Sequence, residues 1–212
     1  ETTKAQARRS RPDPNAVEAA AALIAKAQRP MLLVGGGVHI SGAHRELERL
    51  AEAQSIPVAH SISGKGSISC AHPLSAGLFG RYSRIANDLV AKSDCLVVVG
   101  CKLGEIATKR FQLVPPGVPI VHLDVLPEEI GRTSRCDVAL AGDARLGLAD
   151  LHDVLLDESK VARNSRSDYV AEVPARMAAW REEALDRLRS NETPINMARL
   201  MEELNGVMPA SS

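Results

Sequence analysis

The chain has 212 residues, 45% of them apolar, which fits one α/β domain with extensions. Its 26 basic and 26 acidic residues give a formal net charge of zero, so a nucleic-acid partner is not expected. Apolar runs fall short of the ~20 residues that span a bilayer, so a membrane partner is not expected either.

Cysteines and aromatic residues are sparse. The four cysteines (Cys70, Cys95, Cys101 and Cys136) form no Cys-x-x-Cys pair, which argues against a zinc knuckle or a disulfide framework and fits the reducing cytoplasm. Aromatic residues make up 2% of the chain, so its core is aliphatic. The first residue is Glu1, which we interpret as the start of a processed or excised piece of a longer protein.

Polar residues dominate the first thirteen positions, which predict a linker. Its basic residues (Lys4, Arg8, Arg9 and Arg11) are interpreted as solvated. A helix begins at Asp13-Pro14, since Asp caps helices and Pro is tolerated at the first helical position. Pro30 ends that helix, and residues 31–34 form a buried strand that leads into Gly35-Gly36-Gly37.

Helices and short apolar strands then alternate along the chain. We expect helices from about Ser41, over 85–92 and over 144–156, and a helical turn at 127–130. The expected strands cover 31–34, 56–59, 95–99, 118–123 and 138–141, with a further short one within 74–80. This alternation predicts a three-layer, doubly wound, mainly parallel sheet of five or six strands, of Rossmann-like type. Right-handed crossovers would bring the strand-end loops to one edge, where such sheets bind ligands.

Composition changes near residue 157. Residues 157–167 are loop-like, a long charged helix covers 169–189, and Pro194 begins a final helix. We therefore divide the chain into a linker (1–13), a central nucleotide-binding-type domain (14–157), a linker and helix (158–192), and the start of a truncated domain (193–212).

The triple glycine has two interpretations of about equal weight. Glycines let a backbone approach a phosphate closely, or they simply turn the chain tightly. The dinucleotide fingerprint is incomplete, because Ile40 stands where its third glycine belongs. His60 stands where an NAD-binding unit places an acid, so a hydride-transferring dehydrogenase is not expected.

Acids follow two later strands. Asp124, Glu129 and Asp143 could accept hydrogen bonds from ribose or adenine, but individually each is better explained by a turn or a helix cap. Lys65 and Lys102 could meet a diphosphate or be solvated. The histidines are interpreted as non-ligands, with His122 in a strand, and neither a G-x-S-x-G elbow nor a Walker loop is present.

Together these pieces resemble the central domain of thiamine-diphosphate enzymes of the acetolactate synthase group. The matching stretches, in order, are Gly35-Gly36-Gly37, 57–66 (PVAHSISGKG), His72-Pro73-Leu74 with Gly80, Ala86-Asn87, 93–100, Val121-His122-Leu123-Asp124, Glu129-Ile130-Gly131 and 137–143 (DVALAGD). The tail 194–209 resembles the start of the family's diphosphate-binding third domain.

The resemblance implies a domain that does not catalyse alone. In that family, thiamine diphosphate and Mg²⁺ lie between two outer domains across a subunit interface. The central domain holds FAD, ADP or nothing. The implied partners are the missing N- and C-terminal domains of the same chain and a second copy in a homo-oligomer. The parent enzyme would decarboxylate a 2-keto acid such as pyruvate and condense the product with a second carbonyl.

The resemblance also implies which residues of this chain would line a nucleotide site. They are Gly35, Gly36, Gly37, Ser61, Ile62, Ser63, Gly80, Gly100, Lys102, Asp124, Val125, Glu129, Gly142 and Asp143. No catalytic or metal-binding residue is expected. FAD-binding relatives commonly show Gly-x-Arg-Phe-Asp-Asp-Arg after the strand at 95–99. This chain instead has Gly100-Cys101-Lys102-Leu103-Gly104-Glu105-Ile106, so the adenosine end is the better retained.

Three alternatives stay open at this point. One is a stand-alone adenine-nucleotide or flavin-binding module of an electron-transfer protein. Another is an NAD-consuming deacylase of related fold, although the catalytic His with a nearby Asn-Asp is not evident. The third is a vestigial scaffold whose pocket binds nothing.

Overall fold

A computed structural model of the chain describes residues 8–156, 162 and 164–208. Within these residues six strands form one sheet in the order β3-β2-β1-β4-β5-β6, and every pairing is parallel. The strands are β1 Pro30–Val34, β2 Val58–His60, β3 Ser75–Leu78, β4 Cys95–Val99, β5 Ile120–Asp124 and β6 Val138–Ala141. The predicted doubly wound parallel fold is confirmed. Its order reverses between β1 and β4, the place where sheets of this kind bind ligands.

Helices cover both faces of the sheet. They are α1 Pro14–Lys26, α2 Gly37–Ser41, α3 His44–Gln54, α4 Ala86–Ala91, α5 Ala144–Val154, α6 Ser167–Glu183, α7 Leu185–Leu188 and α8 Met197–Val207. The Asp13 side chain accepts hydrogen bonds from the N–H groups of Asn15 and Ala16, and so begins α1 as predicted.

The core is aliphatic because the central strands are buried on both faces. All residues of β1 and β4 are buried. On one face α1, α3 and α5 pack together over the sheet, with Leu32, Val97 and Val121 among the buried strand residues beneath them. Each fully buried side chain of this size contributes roughly 1.5–3 kcal/mol of apolar burial. The same burial explains the near-continuous apolar runs that identified these strands.

Two predicted helix starts need correction. The helix expected from about Ser41 is α3, which begins at His44. The short α2 precedes it and ends at Ser41, because Gly42 takes a left-handed φ of 65° between the two helices. The last helix begins at Met197 rather than Pro194, because the Asn196 side chain caps it by accepting from the N–H of Ala198. His122 lies in β5, as expected.

The leader is not simply solvated. Arg9 donates to Asp143 Oδ2 at 2.7 Å and to Ser41 Oγ at 2.8 Å, and Arg11 forms an ion pair with Asp150. Pro12 is buried against Gly142, where an added Cβ would lie 2.7 Å from the Pro12 Cδ. Both arginine side chains remain exposed, as the solvated interpretation expects, but each also forms an ion pair with an acid more than 130 residues away in sequence. Lys4 lies outside the described residues.

A buried arginine after the sheet joins the ends of two helices. The Arg166 guanidinium, 1% exposed, donates to the carbonyls of Ile24, Ala27 and Gln54 at 2.5 to 3.1 Å. These carbonyls lie at the C-terminal ends of α1 and α3, where a cation is favourable. Burial lowers the pKa of Arg166. The segment predicted as a linker therefore supplies part of the domain's framework, whereas residues 157–161, also predicted as loop, lie outside the described part.

The chain divides into two compact units after Pro174. In the second unit α7 and α8 pack together, Arg181 is ion-paired with Glu202, and Arg199 with Glu203. Among the described helices, none is long and apolar enough to cross a membrane.

Candidate functional site at the carboxyl edge of the sheet

The glycine loops after β1 and β4 lie directly against each other. A Cβ at Gly35 would lie 2.2 Å from the Gly100 carbonyl oxygen, and one at Gly37 would lie 2.6 Å from the Gly100 Cα. The N–H groups of Gly35 and Gly37 donate to the carbonyls of Val99 (3.0 Å) and Gly100 (3.1 Å). The structure thus gives these glycines a packing role, and these two N–H groups are already used within the protein.

The acids after β5 are also engaged. Asp124 is buried, and its carboxylate accepts from the N–H of Leu126 at 2.9 Å, which stabilises the turn after β5. The Glu129 carboxylate meets Lys102 Nζ at 3.1 Å and Arg132 Nε at 2.7 Å. The hydrogen bond from Lys102 is the main cause of a lowered pKa at Glu129. A ribose would compete with these partners. Val125, between the two acids, is exposed.

Asp143 caps α5. Its carboxylate accepts from the N–H groups of Arg145 and Leu146, and from Ser41 Oγ at 2.9 Å, besides pairing with Arg9. An acid with this many donors is poorly suited to bind Mg²⁺, which needs a carboxylate with free lone pairs. Gly142-Asp143-Ala144 therefore does not fit a metal-diphosphate site.

Open volume lies on the other side of β1 from these acids. A cleft of about 550 Å³ follows the carboxyl ends of β2, β3 and β4. Its lining residues are Ser61, Ile62, Ser63, Leu78, Phe79, Arg81, Tyr82, Gly104, Glu105, Ile106 and Ala107. The cleft is mainly apolar, with serine hydroxyls, a guanidinium and a carboxylate at its margin. Such a cleft can hold a flat or apolar organic group.

Gly80 joins the two walls of the cleft. It has a left-handed φ of 95°, and a Cβ there would lie 2.7 Å from the Ala107 carbonyl oxygen. The Asn87 side chain, from α4, accepts from Gly80 N–H and donates to its carbonyl, both at 2.8 Å. This amide fixes the loop that follows β3 to α4.

The predicted site residues thus fall into three groups. Ser61, Ile62 and Ser63 line the cleft, with Gly80 in its wall. The glycines at 35–37 and Gly100 lie after β1 and β4, where the strand order reverses. Lys102, Asp124, Val125, Glu129, Gly142 and Asp143 lie towards β5 and β6. Sequence reasoning missed Phe79, Arg81, Tyr82 and Ile106, since only the fold brings the loops after β3 and β4 together.

A flavin or adenine nucleotide fits this edge only in part. The apolar cleft suits a ring system. The diphosphate has a weaker match, because Gly35 and Gly37 are packed and hydrogen-bonded and Lys102 is paired with Glu129. The part of the site that the resemblance expects to bind adenosine consists of Asp124, Glu129 and Asp143. These carboxylates already accept hydrogen bonds from donors within the protein.

A cluster of Glu48, Glu52 and His72 lies elsewhere on the surface. His72 Nε2 is 3.2 Å from Glu52 Oε1, and its Nδ1 accepts from the N–H of Leu74 at 3.1 Å. An accepting Nδ1 places the proton on Nε2, which then donates to Glu52. A metal at Nε2 would need the opposite tautomer. The geometry therefore favours a hydrogen-bonded pair over a metal centre.

Comparison with known proteins identifies the family. Residues 17–151 match the family described as "Thiamine pyrophosphate enzyme, central domain". The chain belongs to this family. The match covers β1 to β6 and hence the glycine loops, the acids and the cleft.

Relatives of this chain include proteins named acetolactate synthase and one named glyoxylate carboligase. A probable acetolactate synthase large subunit of Methanocaldococcus jannaschii is 41% identical over 144 residues, which is 68% of this chain and 24% of the relative. One from Methanococcus aeolicus is 32% identical over 200 residues (92% and 33%). A glyoxylate carboligase of Escherichia coli O157:H7 is 30% identical over 192 residues (89% and 32%). The chain spans about a quarter to a third of the length of these relatives.

Proposed function

We propose that this chain is the non-catalytic central domain of an enzyme that decarboxylates a 2-keto acid and joins the product to a second carbonyl. The observation that carries this proposal is the family match over residues 17–151, together with relatives named acetolactate synthase and glyoxylate carboligase. Thiamine diphosphate, when bound, supplies the thiazolium that holds the electron pair released by decarboxylation. The engaged carboxylate of Asp143 is the reason to place that cofactor and Mg²⁺ outside this domain.

In this proposal the domain acts through its assembly with flanking domains of the same polypeptide. Residues 14–157 are the central domain, 158–192 connect it to the next, and 193–212 begin the diphosphate-binding domain. The complete enzyme is a cytoplasmic homo-oligomer, in keeping with the four free cysteines of this chain.

The cleft beside Ser61 and Phe79 is, in the same proposal, the place for the ring of FAD or the adenine of ADP. Its apolar lining and its volume of about 550 Å³ support this use. The alternative of a stand-alone electron-transfer module finds no support in the comparisons, because the matching relatives reported above are synthases and a carboligase.

The test compares the complete gene product with this 212-residue chain. Each is supplied with thiamine diphosphate, Mg²⁺ and either pyruvate or glyoxylate, and CO₂ release and the carboligation product are measured. We expect turnover of one 2-keto acid by the complete product and none by this chain. Turnover by this chain alone, or no turnover of either acid by the complete product, would contradict the proposal.

A further inference from the structure

We infer that the negatively charged part of a ligand in the cleft is bound by Arg81, Lys109 and Arg110, and not by the glycine loops. The ligand is a flat or apolar ring that carries a phosphate group. This inference rests on the proposed use of the cleft for such a ring, and it departs from the site residues that the family resemblance implies.

The glycine loops offer little to a phosphate. Gly35 and Gly37 face the backbone of Gly100 so closely that not even a methyl group would fit between them. Their N–H groups donate to Val99 and Gly100 carbonyls. A phosphate placed there would have to separate two loops that are held by backbone hydrogen bonds.

Lys102, which was expected to bind the diphosphate, already has a partner within the protein. Lys102 Nζ lies 3.1 Å from Glu129 Oε1, and Glu129 is held by Arg132 on its other oxygen. A phosphate at Lys102 would lie beside the Glu129 carboxylate, whose negative charge opposes it.

A second concavity, by contrast, adjoins the cleft and is basic. It has a volume of about 410 Å³ and is lined by Arg81, Glu105, Ile106, Lys109 and Arg110. Arg81, Glu105 and Ile106 also line the apolar cleft, so one molecule can reach both. Of the described residues that line this concavity, three are cations and one is an acid. Glu105 is largely exposed and 4.0 Å from Arg110 Nε, which leaves the guanidinium able to reorient towards an anion.

The backbone brings two of these cations together. Lys109, Arg110 and Phe111 all adopt left-handed φ angles, of 50°, 58° and 64°, a conformation that is unfavourable for residues other than glycine. The buried Thr108 holds the turn: its Oγ1 donates to the Gly104 carbonyl (3.0 Å) and accepts from the N–H of Phe111 (3.1 Å). Strained backbone held in this way is typical of ligand-binding segments.

Arginine is suited to the oxygen atoms of a phosphate because its guanidinium donates two parallel hydrogen bonds. The apolar cleft, with Ile62, Phe79 and Tyr82, would bind the ring. The cleft and the basic concavity therefore bind different parts of the ligand, and binding to each can be measured separately.

The experiment titrates the 212-residue chain by calorimetry with three probes: riboflavin, which has the ring alone, pyrophosphate, which has the charge alone, and FMN, which has both. We expect FMN to bind roughly ten-fold or more tightly than riboflavin. In Lys109→Gln/Arg110→Gln most of this advantage is lost and riboflavin binding is unchanged, because neither residue lines the apolar cleft. In Arg81→Gln/Lys109→Gln/Arg110→Gln the advantage of FMN over riboflavin disappears. Glu105→Gln strengthens FMN binding, because it removes the acid found among the described residues that line the basic concavity. Lys102→Gln and the surface control Lys26→Gln leave all affinities unchanged. Thermal unfolding confirms that each variant is folded.

The outcomes separate this inference from the proposed use of the cleft. Pyrophosphate binding that the triple variant abolishes, with riboflavin not binding, would support the cationic site and contradict the ring cleft. Equal affinity for FMN and riboflavin would overturn the inference, as would loss of the phosphate-dependent affinity in Lys102→Gln rather than in the triple variant. Failure of both FMN and pyrophosphate to bind would overturn it too.

Discussion

The Gly100 carbonyl oxygen lies 2.2 Å from the place that a Cβ at Gly35 would occupy. This contact joins β1 to β4 at the reversal of the sheet order. Because both partners are backbone, neither can move aside as a flexible side chain would.

Gly35→Ala is therefore expected to destabilise the domain by about 3 kcal/mol, the upper part of the range for overpacking a close contact. Denaturant unfolding followed by far-UV circular dichroism measures the change. Gly104→Ala is the matched control, because a Cβ there meets no described atom within 4 Å, and it should change stability by no more than ~0.5 kcal/mol. Equal stabilities for the two variants would contradict the packing role of Gly35.

Arg166 is the second position with a large expected effect. Replacement by Met keeps the length of the side chain but leaves the carbonyls of Ile24, Ala27 and Gln54 without their shared donor. We expect a loss of about 3 kcal/mol in unfolding free energy, since buried acceptors left unsatisfied are costly. Arg166→Lys should recover only part of this, because an ammonium lacks the planar fork that reaches three carbonyls.

The control for this change is Arg49→Ala, at an exposed arginine of α3. It should alter stability by less than ~0.5 kcal/mol. If Arg166→Met were as mild as this control, Arg166 could not be the residue that joins the ends of α1 and α3.

The fold was predictable from the sequence because its signal is local. Cys95–Val99 and Val138–Ala141 are strands at the residues predicted, since a short buried parallel strand appears as an apolar run bounded by turn residues. Arg166 gave no such signal. Its partners are carbonyls 112 to 142 residues away, and a single charged residue in a polar segment is normally solvated.

The site was less predictable than the fold. The sequence identified the glycines and acids as candidate site residues. It does not show that Gly35 faces Gly100 or that Glu129 is paired with Lys102. The cleft depends on Gly80 meeting Ala107, a contact between loops after β3 and β4. Only the strand order sets that proximity.

Burial of His122 in β5 predicts a pH dependence of stability. Burial lowers the pKa of His122 below its ordinary value of 6.5, and its Nε2 is buried without a hydrogen-bond partner among the described residues. The unfolded chain therefore binds the proton more readily than the folded one. The stabilisation is present above about pH 6.5 and is lost as the pH falls towards the lower folded-state pKa. His60 is buried in β2 and acts in the same direction.

We expect the urea midpoint to fall between about pH 7.5 and about pH 5.5, and to fall less in His122→Leu than in the unchanged protein. Ala22→Gln, at an exposed position of α1 without a titratable group, serves as the control and should keep the full slope. A His122→Leu variant with an unchanged slope would show that this imidazole is not what couples folding to protons.

Thr108 is expected to hold the left-handed turn that carries Lys109 and Arg110. Its hydroxyl bonds both the Gly104 carbonyl and the Phe111 N–H, and its carbonyl accepts from Gln112 and Leu113, each at 2.9 Å. Thr108→Val keeps the shape of the side chain but removes the hydroxyl. The three consecutive left-handed residues then lose the hydroxyl hydrogen bonds that help to hold them in this strained conformation. We expect a global destabilisation of about 1 kcal/mol and a larger local loosening of the turn.

Limited trypsin digestion measures the local effect, because trypsin cleaves after Lys109 and Arg110 and must unfold the turn to do so. Mass spectrometry should show cleavage at these two residues roughly ten-fold faster in Thr108→Val than in the unchanged chain, with cleavage after Lys26 unaltered as the internal control. Thr108→Ser keeps the hydroxyl and should retain most of the protection. Faster cleavage in the Ser variant than in the Val variant would mean that methyl packing, rather than the two hydroxyl hydrogen bonds, holds the cations in place.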